Sequence, residues 1–457
     1  MQRDRVGVKV TRLIIEVSRY VLLVLILVYT LQSFIIFRKR DEEAREFLFL
    51  RQNVVMFCIH FIAFMVLYLK IEENQLLIYY GAQVIYLLAT LIFFRNIYPR
   101  ASKLILNNMC MLITVGFIMV TRLSYDQSIT QFKILAGGTA IALLVPIIIR
   151  KMKILAKWAW VYAIVGIGSL GAVAVLATTS YGAKLSLEFG GIAIQPSEFV
   201  KITFVFFVAG MLTKTTEFRQ VVITTILAAI HVLVLVVSTD LGSALIFFVT
   251  YLVMLYVRSK DWRYLLTGIA AGVIAAVMAY FLFRHVRVRV EIWQDPFASY
   301  EGSGYQIAQS LFSIGVGGWL GTGLFQGSPN TIPIVYQDFM FSAIVEELGS
   351  VFGICLILIC MSSFIMFVNV AMKLKENFYR DVALGLGCIY AVQVFLTIGG
   401  AMKMIPMTGV TLPFISTGGS SIVSSLMSFA IVQGLYILRE EEGEEVEKER
   451  FNQRYSG

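Results

Sequence analysis

QVVITTILAAIHVLVLVVSTDLGSALIFFVTYLVMLYV, residues 220–257, carries the reading that decides the fold. It holds two apolar runs, 220–238 and 240–257, parted only by the polar group Ser238-Thr239-Asp240. As a helix each run is long enough to cross the roughly 30 Å hydrocarbon layer of a bilayer. Neither run alternates apolar with polar residues, as a strand of a closed membrane barrel would. The stretch therefore reads as a hairpin of two membrane helices with an acid at the turn.

Comparable runs recur near 20–37, 54–70, 75–94, 104–123, 133–150, 156–177, 192–213, 264–283, 342–370, 380–402 and 413–437, about thirteen in all. With 58% hydrophobic and 15% charged residues, the chain has too little polar surface to cover ordinary soluble domains. The fold class is all-α, a polytopic transmembrane bundle. The net charge of +9 does not point to nucleic acid, because the Lys and Arg residues sit in short connections where the anionic inner leaflet is their natural partner. The five cysteines lie inside apolar stretches without metal-ligand spacing and read as core or lipid-facing residues. The basic N-terminus before the run at 20–37 has the outline of a secretory signal but no small-residue cleavage site after it, and reads as a retained helix.

Loop charges set sidedness. Connections holding Arg150, Lys151, Lys153 and Lys157, then Lys214 and Arg219, Arg258, Lys260 and Arg263, and Lys373, Lys375 and Arg380 belong in the cytoplasm. The segments 178–191, the turn near 239, the long stretch 284–340 and 403–411 then face outward. A connection as long as 284–340, rich in aromatic residues and Gly, is expected to be ordered and functional. Three helices before residue 104 would put Arg3, Arg5, Lys9, Arg12 and Arg19 outside, against the positive-inside tendency, so one early run is expected to be interfacial or miscounted. The acidic end, residues 438–457, reads as a cytoplasmic tail, disordered or a frayed helix.

Ionisable residues at membrane depth are costly, which makes them functional candidates. Gln195-Pro196-Ser197-Glu198 with Lys201 opens one helix; Glu198 and Lys201, three apart, share a face and form either a structural ion pair or part of a cavity wall. Asp240 either caps the next helix or lines the same cavity. In the long loop, Arg284, Arg287 and Arg289 offer phosphate donors or interface anchors. Asp295, between Trp293-Gln294 and Pro296, is expected to be held half-buried against Trp293, with its proton affinity raised. Gly302-Ser303-Gly304-Tyr305-Gln306 follows, and Asp338-Phe339 precedes Glu346-Glu347. In Leu412-Pro413-Phe414-Ile415-Ser416-Thr417-Gly418-Gly419-Ser420-Ser421, small residues serve close helix contact or cradle a pyrophosphate with Ser416 and Ser420. The run lacks the Gly-Lys-Ser/Thr ending of a nucleotide-binding loop.

Taken in order, Gln-Pro-Ser-Glu with Lys201, Thr-Asp-Leu-Gly, Asp-Pro with Gly-Tyr-Gln, Asp-Phe before Glu-Glu-Leu-Gly, and Leu-Pro-Phe-Ile-Ser-Thr-Gly-Gly-Ser-Ser resemble the signature set of the SEDS family (FtsW/RodA/SpoVE) over residues 104–437. The resemblance implies a core of about 10 helices, with residues 1–103 adding about 2–3 more. It implies a peptidoglycan glycosyltransferase of the bacterial cell membrane that polymerises lipid II, working with a class B penicillin-binding protein in division, elongation or sporulation. It further implies that Asp295 is the catalytic carboxylate and that Glu198, Lys201 and Asp240 surround a central cavity; beside these, the residue reading itself offers Arg284, Arg287, Arg289, Gln306, Ser416 and Ser420 as substrate contacts. The sequence holds no metal cluster, so a divalent cation such as Mg2+ would accompany the substrate's phosphates. Where the family usually has Arg-Trp, this chain has Lys184-Leu185-Ser186-Leu187-Glu188, and Thr417 stands where Tyr is usual. Two other classes suit the same charges: a lipid II flippase, which would need Glu198, Lys201 and Asp240 but not Asp295, and a non-catalytic scaffold for a penicillin-binding protein.

Overall fold

A computed structural model of the chain describes residues 2–176, 186–189, 192–214 and 216–455. The helices are α1 (Gln2–Arg38), α2 (Glu42–Ile71), α3 (Asn74–Ile97), α4 (Lys103–Leu123), α5 (Tyr125–Ala142), α6 (Val145–Lys151) and α7 (Ala159–Leu176). A small antiparallel hairpin, β1 (Leu187–Phe189) and β2 (Ile192–Ile194), pairs Glu188 with Ala193. Then follow α8 (Pro196–Lys214), α9 (Phe218–Val237), α10 (Leu241–Ser259), α11 (Trp262–Leu282), α12 (Arg284–Gln294), α13 (Tyr305–Gly317), α14 (Met340–Leu348), α15 (Ser350–Lys373), α16 (Asn377–Ala401) and α17 (Gly419–Tyr455). Among the described residues 13 segments are long and apolar enough to cross a membrane. A helix satisfies its backbone internally, which is what a lipid environment demands.

The chain threads back and forth between two ends. One carries α12 to α14, the α9–α10 turn and the segment 402–418; it is called the loop end below. The other, the tail end, carries Arg150, Lys214, Arg258 and Lys373. Residues 177–185 and 190–191, most of the outward segment 178–191 and including Lys184 and Leu185, lie outside the described residues.

All three N-terminal helices are of spanning length. Arg19, midway along α1 and near the start of its apolar span Leu13–Arg38, donates through Nη1 to Gly321 O at 2.9 Å, so the N-terminal half of α1 stands at the loop end. The expectation that one early helix was interfacial or miscounted is thereby corrected: the count is three. Packing holds this arrangement against the loop-charge tendency, because α1 lies on α2 and α15, and α2 lies on α4.

Of the two readings of the acidic end, a helix is the one that forms: α17 continues to Tyr455, and three of its acids have partners, Glu444 with Arg100 (2.9 Å), Glu441 with Arg150, and Glu442 accepting from Lys375 N (3.0 Å). These contacts restrain a segment whose composition alone reads as frayed.

Candidate active site

At the start of α8 the backbone N–H of Gln195 donates to Ser420 Oγ at 2.9 Å, tying α8 to the head of α17. One turn on, Glu198 and Lys201 form an ion pair of 2.8 Å. Lys201 is 2% exposed and also donates to Gln393 Oε1 (2.9 Å), while the Gln393 side-chain amide donates to Thr411 O (3.0 Å). A charge pair this buried persists only with its partners supplied. Lys201 is therefore consumed below the cavity, whereas Glu198 borders it.

The turn between α9 and α10 brings in Asp240. Its Oδ1 accepts from Ser243 N (3.1 Å), capping α10, and its Oδ2 accepts from Ser197 Oγ (2.9 Å) and Gln195 Nε2 (3.4 Å). Asp240 is thus both cap and cavity wall. Gly242 keeps this turn against the 408–410 segment; a Cβ there would stand 2.3 Å from Val410 and 2.8 Å from Thr408 O.

Within the long loop the three arginines separate. Arg289 faces the cavity and donates through Nη1 to Met407 O (3.0 Å). Arg287 turns back to Phe281 O (3.1 Å) and the Tyr280 ring, and neither it nor Arg284 borders the cavity. α12 is pinned at its end, where Trp293 Nε1 donates to Lys403 O and Lys403 Nζ donates to Gln294 O, both at 3.2 Å. Asp295 follows as the C-terminal cap residue. Its Oδ1 accepts from Phe297 N (3.0 Å) and Ala298 N (3.2 Å), which fixes the carboxylate's orientation.

The expected half-burial of Asp295 against Trp293 is not what forms. Asp295 is exposed, because Trp293 turns its ring N–H to Lys403 instead. Asp295 does not itself line the cavity; it belongs to the short segment between Ile292 and Ser303, which both do. The loop then doubles back so tightly that a Cβ at Gly304 would meet Pro296 O at 2.2 Å, and this delivers Ser303, Gln306 and Ile307 to the cavity.

The cavity is open to the outside and has a volume of about 650 Å³. Ser420 lines it; Ser416 does not, being buried with its hydroxyl accepting from Leu412 N (3.1 Å). The segment leading into α14 contributes Asp338, absent from the sequence-derived site. Burial pushes its carboxyl up to about 6 even though the Arg289 charge pulls the other way. Burial likewise lowers the Arg289 guanidinium, opposed by Asp338 and Asp240. Among the described residues, Arg289 is the one cation bordering this cavity, facing the carboxylates of Glu198, Asp240 and Asp338. The signal for Asp338 was its place just before an apolar helix; nothing local told that the fold sets it against Arg289. Such a cavity can take a polar, phosphate-bearing group on Arg289 and hydroxyl groups on its carboxylates and amides. The described residues hold no group of three or more His, Cys, Asp or Glu able to ligate a metal.

The family model described as "Cell cycle protein" (FtsW/RodA/SpoVE) matches residues 101–441. The peptidoglycan glycosyltransferase RodA of Mycobacterium tuberculosis strain H37Rv is 33% identical over 368 residues, spanning 74% of this chain and 78% of that protein. The peptidoglycan glycosyltransferase MrdB of Escherichia coli K12 is 30% identical over 329 residues, spanning 68% and 87%. Among solved structures, a chain from a peptidoglycan synthase complex superposes with a TM-score of 0.64 at 23% identity, covering 74% of this chain and 98% of that one. The rod shape-determining protein RodA of Thermus thermophilus superposes with a TM-score of 0.57 at 20% identity, covering 74% and 96%.

Proposed function

Because the chain belongs to the FtsW/RodA/SpoVE family, we propose that it is a peptidoglycan glycosyltransferase of the bacterial cytoplasmic membrane, with its loop end outward, polymerising lipid II into glycan strands. The observation that carries this reading is the loop-end cavity with one cation among carboxylates, Arg289 with Glu198, Asp240 and Asp338, and a separate exposed carboxylate, Asp295, held by two backbone N–H groups in the segment between the lining residues Ile292 and Ser303.

The reaction is a single displacement. The 4-hydroxyl oxygen of the acceptor sugar bonds to the anomeric carbon of the donor, the bond from that carbon to the undecaprenyl pyrophosphate breaks, and the configuration inverts. Asp295 takes the hydroxyl proton. Two backbone N–H groups hold its Oδ1 and so aim the carboxylate. Arg289 spends one nitrogen on Met407 O and offers its remaining N–H groups to the pyrophosphate, where charge builds as the bond breaks. Gln306 and Ser420 hold sugar or phosphate oxygens, and Glu198, ion-paired with Lys201, forms part of the wall.

A Mg2+ ion suits this site only as a companion of the pyrophosphate, since that ion is commonly bound by one or two carboxylates plus substrate phosphates rather than by a protein cage. A class B penicillin-binding protein is the fitting partner, because new strands must be cross-linked where they emerge.

The test is lipid II polymerisation by the purified protein, with and without such a partner, for wild type and Asp295→Asn. The variant keeps the shape of the turn and should lose on the order of a hundredfold or more in rate. Equal strand yields from both would remove Asp295 from the chemistry. Failure of both, with the partner present, would favour lipid II transport or a scaffold.

A further inference from the structure

At the tail end, away from the proposed reaction, a second cavity of about 480 Å³ lies between the N-terminal helices and the rest of the bundle. Its lining is mostly charged, and Phe37, Phe49, Leu104 and Met366 contribute its apolar part. Most rim charges cancel: Lys103 pairs with Glu46, Arg100 with Glu444 and Arg439 with Glu440. Lys39, Arg45 and Lys373 have no carboxylate partner among the described residues, and Glu42 is the remaining acid of the rim. Three cations against one anion leave a surplus of two positive charges around a cavity. Arg45 adds a sharper sign, since its Nε is buried without a hydrogen-bond partner while its guanidinium lies 5.9 Å from the Phe49 ring.

We propose that this cavity binds the phosphodiester headgroup of an anionic phospholipid. The planar fork of Arg45 suits phosphate oxygens, and Lys39 and Lys373 add charge from α1's end and α15's end. The apolar side chains of the lining, Phe37, Phe49, Leu104 and Met366, take the start of the acyl chains. A free phosphate would satisfy the cations but leave those side chains unused. The cavity also stands where apolar spans give way to basic residues, the level of an anionic headgroup layer. An occupant there would bridge α1 and α2 to α4, α15 and α17, joining the N-terminal helices to the family core through a lipid.

The full chain, stripped of lipid in neutral detergent, is titrated with dioleoylphosphatidylglycerol and followed by native mass spectrometry. One lipid should be retained in preference to dioleoylphosphatidylcholine. The combined substitution Lys39→Gln, Arg45→Gln and Lys373→Gln should weaken retention at least about tenfold, since each basic group at a lipid surface contributes on the order of 1 kcal/mol. Lys260→Gln, on another connection at the same end, should leave it unchanged. Glu42→Gln, which removes the opposing charge, should strengthen retention, and it decides the matter if the triple variant unfolds. Equal retention of the two lipids, an unchanged triple variant, no gain from Glu42→Gln, or displacement of the lipid by equimolar inorganic phosphate would each overturn the proposal. None of these readouts involves polymerisation, so this site stands or falls apart from the reaction proposed above.

Discussion

Asp338 faces Arg289 across the cavity, and its raised proton affinity has a consequence for stability. An aspartate in an unfolded chain titrates near 3.9, whereas here the value is about 6. Because the folded value is the higher one, the contribution of this group to stability is complete below about 4 and is lost as pH rises to about 6. Asp338→Asn should therefore flatten the pH dependence of thermal unfolding across that window and leave the protein more stable relative to wild type at pH 7 than at pH 4. An unchanged profile would mean that Asp338 titrates alike in the folded and unfolded chain. At this scale the sequence was legible where chemistry is local. Glu198 and Lys201 pair because they are three apart on one helix, and Asp240 caps because it precedes one. The arginines were legible only in part, since 284–294 was read as loop. As a helix it separates Arg287 from Arg289 by about 200° around the axis, which sends one to the Tyr280 ring and the other to the cavity. Asp338 and Gln393 stayed hidden because their partners come from distant elements.

Elements as hydropathy delimits them differ from elements as they pack. The apolar run 342–370 reads as one helix, yet it is divided at Gly349 into α14 and α15. Gly349 adopts φ +92°, and a Cβ there would stand 2.5 Å from Gly321 N. Gly321, at φ +79°, faces Glu347 O at 2.4 Å by the same construction, so the two glycines let two backbone segments touch. An apolar window cannot register this, because the break depends on a residue that meets Gly349 only after folding. The run 133–150 divides similarly, into α5 and α6, beside Pro146, which has no N–H to donate to Ala142 O at the end of α5 and stands in the first turn of α6 instead. Gly349→Ala should lower folded yield sharply, since it meets both a positive φ and a backbone clash. Gly315→Ala, within α13 with nothing inside 4 Å, should instead be neutral or stabilise by roughly 0.5–1 kcal/mol. Yield and thermal unfolding in detergent separate the two, and equal behaviour would remove the glycine contact as the cause of the break.

For the whole molecule, the question is what joins α1 to α3 to a bundle that the family model matches only from residue 101. Composition marks the first hundred residues as additional helices, but it says nothing about their attachment, since lipid tails are as apolar as the helices they would join. The structure supplies a polar seam. Asn108 of α4 donates to Ser362 (3.2 Å) and Ser363 (3.3 Å) of α15, and accepts from Tyr29 of α1 (3.3 Å). Beside it Asn107 donates to Gln52 Oε1 and Phe49 O of α2, both at 3.1 Å, and Gln52 donates to Ser33 of α1 (2.9 Å). Every residue of α4 from Leu104 to Thr121 is buried, so this helix is an inner strut between the N-terminal helices and the family core rather than an outer face of it. Asn108→Leu keeps the volume roughly constant but strands hydroxyls on two other helices. At about 0.6 kcal/mol for an average bond between membrane helices, and up to about 1.7, the loss should total on the order of 1–3 kcal/mol. Thr114→Val removes a hydroxyl that bonds only Cys110 O in its own helix, and should cost much less. Thermal unfolding of both variants against wild type measures the difference. If Asn108→Leu melts with wild type, the bonds of Asn108 do not hold α1 to the core, and α3 keeps its own bonds from Tyr79 to Ser128 and from Tyr86 to Thr139 either way; if it melts well below Thr114→Val, the polar seam of α4 is what fastens α1 to α15.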